Sequence, residues 1–137
     1  MRQLVTLAVC GSLLALGGCG VRGVEGDYQG SMHGTMTYLG LLSVAVAGDV
    51  GFEIVPASDD WFDAAGDLVV KNGNNTYEAT LSGRYQSGDL NMTFVAKDGN
   101  STGTMQGEWK VGGCWKNGTW TVSGTGASGS GTWEACR

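Results

Sequence analysis

The sequence predicts an all-β domain: a small antiparallel meander of eight or nine strands, closed as a barrel or stacked as a sandwich. Three observations carry this expectation. Apolar and polar residues alternate with a period of two through most of the chain beyond residue 24. Clusters of Gly, Asn, Asp and Ser interrupt the alternation at near-regular intervals, as turns do. Glycine is abundant, at 25 residues, while Pro56 is the single proline. Glycine richness also marks disordered chains, but those lack the β-branched and aromatic residues that are plentiful here.

In chain order, the first element is not part of that domain. Arg2 gives a positive start, residues 4–16 form an apolar run, and Gly17 and Gly18 follow. The run is too short for a membrane span, which needs about 20 apolar residues. It reads as a signal peptide over residues 1–18. An ordinary secretory signal carries small residues at both −1 and −3, whereas Leu16 occupies −3 here. Leu16-Gly17-Gly18-Cys19 resembles the lipobox of bacterial lipoproteins, which implies that Cys19 becomes the acylated (palmitate-bearing) first residue. The partner implied is a lipid bilayer. Gly20 stands where an Asp would favour inner-membrane retention, so the resemblance implies the outer membrane of the cell envelope. Residues 19–24 form a short tether of at most about 20 Å, and residues 25–137 form the β domain.

Residues 24–32 and 35–47 read as strands, the second broken near Gly40, with 41–47 apolar enough to be buried on both faces. Val50, Phe52 and Ile54 alternate, and residues 67–71 lead into the hairpin signal Asn72-Gly73-Asn74-Asn75. Three consecutive strands follow. Tyr77, Ala79, Leu81, Gly83 and Tyr85 share one face, then Leu90, Met92, Phe94 and Ala96, then Gly103, Met105, Gly107, Trp109 and Val111. Ser87-Gly88-Asp89 and Asp98-Gly99-Asn100-Ser101 provide the turns between them. Residues 119–123 and 131–136 complete the set. A barrel is preferred to a sandwich because short sequential turns suit a meander and closure removes exposed edges.

Residues 58–66 stand apart. Ser58 is an N-cap candidate, acids follow it and Gly66 could end a helix, so a single helical turn is expected, with Trp61 and Phe62 tucked against the sheet. Asp59, Asp60, Asp63 and Asp67 could gather around calcium, but their spacing is not that of an EF-hand loop, and capping with solvated charge is preferred. No metal site is expected.

Cys114 and Cys136 are the remaining thiols of the exported part, since Cys10 falls in the signal. An oxidising compartment favours a disulfide between them over a redox or zinc site, because no Cys-x-x-Cys is present and His33 is the only histidine. Such a bridge is worth about 3 kcal/mol in the chain-entropy view.

The functional signals are fewer. Thirteen acidic residues face eight basic ones, for a formal charge of −5, and the basic residues are scattered. That balance argues against a nucleic-acid partner, which requires clustered positive charge. Gly124-x-Gly126-x-x-Gly129 imitates a dinucleotide fingerprint but precedes a strand, not a helix, and reads as a turn. His33 has no Ser and acid that would complete a triad. The expectation is therefore a noncatalytic protein without a cofactor. Trp109, Trp115, Trp120 and Trp133 crowd the last third of the chain and are the ligand-binding candidates, able either to fill the core or to grip an apolar or sugar ligand.

The meander with Gly118-Thr119-Trp120 and Gly131-Thr132-Trp133 is similar to lipocalin-like and avidin-like barrels. Lipocalins carry Gly-x-Trp in the first strand, where this chain has Gly26-Asp27-Tyr28. Ser82-Gly83-Arg84-Tyr85 with Phe94 and Lys97-Asp98-Gly99 also resembles membrane-bound lysozyme inhibitors, although their cysteine placement is not reproduced. Two functions follow as expectations: an envelope lipoprotein whose barrel binds a small ligand or an envelope protein partner, or an inhibitor of a cell-wall hydrolase such as lysozyme.

Overall fold

The computed structural model describes residues 23–110 and 112–137. They form β1 (Gly26–Tyr38), β2 (Leu42–Pro56), β3 (Phe62–Asn72), β4 (Asn75–Gln86), β5 (Asp89–Ala96), β6 (Ser101–Lys110), β7 (Cys114–Gly124) and β8 (Ala127–Cys136). Each strand pairs antiparallel with the next. β8 returns to β1, from Gln29 opposite Cys136 to Tyr38 opposite Ala127, and closes the barrel. No helix occurs among the described residues.

Side-chain alternation decides what lies inside. On β5, Leu90, Met92 and Phe94 are buried while Asp89, Asn91 and Thr93 are exposed. Ala79 and Leu81 of β4 and Phe52 and Ile54 of β2 point inward in the same way. No polar or charged residue is buried among those described. Moving a large apolar side chain out of water is worth about 1.5–3 kcal/mol, so this inward set drives closure. Glycine makes room for the largest members. A Cβ on Gly34 would lie 2.6 Å from Cζ2 of Trp120, and one on Gly118 would overlap the indole of Trp133.

Three expectations are corrected. The helical turn over residues 58–66 does not form. The Trp61 carbonyl accepts the backbone N–H groups of Ala57 and Ser58 at 3.3 and 3.1 Å, and the Ser58 hydroxyl accepts the Asp60 N–H at 3.0 Å. This closes a tight link, after which Phe62 pairs opposite Pro56 and the inward alternation of β3 takes over from local helix propensity. Residues 41–47 are not buried on both faces. Leu41 is 90% and Leu42 60% exposed, because they form the tip of the β1–β2 hairpin, and only Val44 and Val46 turn inward. The chain also runs unbroken through residues 33–34, so the break near Gly40 is the hairpin turn itself.

Val24, assigned above to the tether, is buried, and its carbonyl accepts the Tyr28 hydroxyl at 2.7 Å. The signal peptide and Cys19 lie outside the described residues.

Candidate functional site

Antiparallel order divides the turns between two ends. Residues 57–61, 87–88 and 112–113 gather at the end where the chain enters β1 and leaves β8. Residues 39–41, 73–74, 97–100 and 125–126 gather at the other.

The entry end is packed with rings. Tyr28 stacks on Phe52 at 5.3 Å between centroids and meets Trp109 and Trp115 edge-on at 6.0 and 6.1 Å. Trp109 and Trp115 are 5.2 Å apart, and Tyr85 joins Trp115 at 5.6 Å and Phe62 at 6.0 Å. Arg137 closes over them. Its guanidinium lies 5.3 Å from the Trp109 ring and 5.9 Å from Tyr28, and donates a hydrogen bond to the Glu25 carbonyl at 2.6 Å. Cys114 and Cys136 are disulfide-bonded, with Cα atoms 4.1 Å apart, so the disulfide pairing holds and fastens β7 to β8 beside this seal. Burial pushes the Tyr28 phenol above its ordinary range, against the opposing pull of the Arg137 cation. Tyr85 moves the same way through burial and the nearby Asp89 carboxylate.

The opposite end is open. There a cavity of about 140 Å³ runs inward between Met32, Met36, Leu68, Val70, Phe94 and Trp120. Its rim carries Tyr38, Asn72, Tyr77, Glu78, Asp98 and Ser101. The Asn72 amide donates to the Tyr38 hydroxyl at 3.2 Å, tying β3 to β1. Trp120 is fixed by a hydrogen bond from its indole N–H to the His33 carbonyl at 3.2 Å, so it forms a rigid wall. A dry apolar cavity of about 150 Å³ accommodates a single benzene ring, and this one is of that order.

A second concavity of about 440 Å³ lies on the outer wall, among Asp89, Asn91, Gln106, Glu108, Lys116, Asn117 and Thr119. It marks an irregularity, since the β6–β7 register shifts between Gln106 and Glu108 and the β7–β8 register between Trp115 and Gly118. From inside, the Trp133 indole N–H donates to the carbonyls of both Gln106 and Thr119 at 3.1 Å.

The four tryptophans are thus not brought into one site. Trp109 and Trp115 belong to the sealed end, Trp133 spans the wall irregularity, and Trp120 lines the cavity. His33 reaches Thr132 Oγ1 at 3.5 Å on the exposed face, and Gly126 stands in the β7–β8 turn. Sequence reasoning missed Met36, Tyr38 and the acidic rim. The signal was present in the parity of the turns, since residues next to alternate hairpins share an end.

No family model and no curated protein matches the chain. Solved structures do. The structure of EF1p2_mFAP2b bound to DFHBI superposes with a TM-score of 0.58 at 13% identity, covering 85% of this chain and 95% of that one. The structure of a redesigned beta barrel, mFAP1, bound to DFHBI, gives a TM-score of 0.50 at 17% identity, over 85% and 96%. This chain shares their barrel fold.

Proposed function

We propose that this chain is a noncatalytic lipoprotein of the bacterial envelope, anchored through acylated Cys19, whose barrel takes a small apolar ligand at its open end. The observation that carries the ligand reading is the contrast between the two ends: one is filled by stacked rings, while the other keeps a cavity walled by apolar side chains. The two solved barrels, both bound to DFHBI, support it as similar proteins that hold a small molecule within this fold. The noncatalytic reading rests on His33, whose one side-chain partner among the described residues is Thr132.

Calorimetric titration with ring-sized apolar compounds tests the cavity. Val70→Phe should fill it, abolish the binding heat and leave the thermal midpoint nearly unchanged. Binding that survives this substitution would place the ligand elsewhere. Mass spectrometry of the membrane fraction tests the anchor, with a mature protein beginning at acylated Cys19 as the expected result and an unmodified N-terminus at another residue as the overturning one.

A further inference from the structure

We infer that the ligand class of the open cavity is a small aromatic ammonium compound, bound ring first with its cationic group at the mouth. This deepens the cavity reading above and rests on it. The interior selects the ring, because its walls are apolar and its volume of about 140 Å³ suits one ring, with any short arm extending to the mouth. The mouth selects the charge. Of the two acidic residues there, Glu78 stands on the outer face of β4, one residue from the inward Ala79, whereas Asp98 lies in the β5–β6 turn at the mouth, and no basic side chain lines the cavity. Lys97 bonds Glu78 at 3.1 Å and offsets its charge, so Asp98 is the carboxylate that sets the sign of the mouth. Asp98 accepts the Asn100 backbone N–H at 2.8 Å, which leaves its negative charge uncancelled. Tyr38 and Tyr77 add two electron-rich ring faces to the same rim, which attract cations. A carboxylate ligand of the same shape would meet like charge at this position.

Three compounds of matched shape separate the contributions: phenethylamine, phenethyl alcohol and phenylacetate. Binding is read from the methyl resonances of Met32 and Met36, which line the cavity, with Met92 and Met105, buried away from it, as internal controls. The amine should bind about threefold to tenfold more tightly than the alcohol, as exposed charge and ring–cation contacts allow, and the carboxylate more weakly than both. Raising the salt concentration should narrow the difference. The substitution Asp98→Asn should erase the amine preference and change the alcohol affinity far less, because Asn can still accept the turn hydrogen bond. Equal binding of amine and alcohol, or tighter binding of the carboxylate, overturns the charge inference and leaves the cavity reading standing. Unmoved Met32 and Met36 resonances with all three compounds overturn both.

Discussion

At the scale of single residues, the indole of Trp133 stands in for a missing rung of the ladder between β6 and β7. Where the register shifts, its N–H satisfies the carbonyls of Gln106 and Thr119 together, and its ring occupies the space that Gly118 leaves free. Gly118→Ala should therefore destabilise by about 1–3 kcal/mol through overpacking. Trp133→Phe should lose about 3 kcal/mol, since it shrinks the ring and strands two acceptors. In urea denaturation the double variant should be less destabilised than the sum of the two, because a phenyl ring, without the N–H that pins the indole to two carbonyls, can shift away from the new methyl. Strict additivity would mean that glycine serves the backbone there and not the indole.

One buried and one half-buried phenol give the barrel an alkaline limit. The folded-state pKa values of Tyr28 and Tyr85 are raised by burial above the unfolded value of about 10. The neutral phenol is the form the fold favours, so its contribution is complete below about pH 10 and is lost as the pH climbs through the folded pKa. Urea midpoints measured from pH 8 to 11.5 should fall at the upper end. Tyr85→Phe should flatten that fall, and a midpoint independent of pH would contradict it. The inward position of both tyrosines was legible from alternation, but their shared environment was not. It depends on strands far apart in sequence converging at the sealed end.

At the scale of elements, the hairpin β1–β2 carries a local conflict. Leu39 and Gly40, in the three-residue link between Tyr38 and Leu42, both have positive φ, at 54° and 68°, the backbone conformation for which turns prefer Asn-Gly. Leucine is unfavourable there, and it is also 78% exposed. The Leu39 side chain lies against Gly126 of the β7–β8 turn; Leu39→Asn should stabilise the barrel by about 0.5–1 kcal/mol in thermal unfolding, and a loss would show that this contact outweighs the strain. This conflict explains why the sequence misleads around residues 39–47. Gly40 marks the break, but the apolar run beyond it reads as buried strand, while the pairing of Tyr38 with Leu42 places its first residues at the exposed tip. The helical turn over 58–66 misleads for the converse reason: its capping residues are real, but a link closed on the Trp61 carbonyl uses them.

The disulfide is the second element-scale device. It joins the first residue of β7 to the last of β8, across a separation of 22 residues, next to the Arg137 seal. Reduction should lower stability by about 3 kcal/mol. It should also expose Trp109 before global unfolding, seen as an early red shift of tryptophan emission in reductant and urea. A single transition at the oxidised midpoint would show that the bridge is dispensable.

For the whole molecule, alternation and turn chemistry made the meander and its closure legible, because both are local signals repeated along the chain. The polarity of the barrel was not legible from those patterns alone. Trp109, Trp115 and Trp120 look equivalent in sequence, yet two seal one end and the third walls the cavity at the other. Residue 23 enters at the sealed end. With Cys19 acylated as proposed, the membrane lies on that side, and the mouth opens roughly 30 Å away from it, given the length and tilt of β1. Ligand exchange then takes place in the aqueous space and not within the leaflet that holds the anchor.

The hydrogen bond from Arg137 to the Glu25 carbonyl brings the two ends of the folded domain together. In a cycle where every strand pairs with its neighbours, that proximity leaves no strand intrinsically first. A circular permutant of the β domain, joined by a short loop from Arg137 to residue 23 and opened between Gly73 and Asn74, would keep every strand pairing and move the chain termini to the mouth. The barrel is thus a closed ring of strands whose entry to β1 and exit from β8 meet at the sealed end.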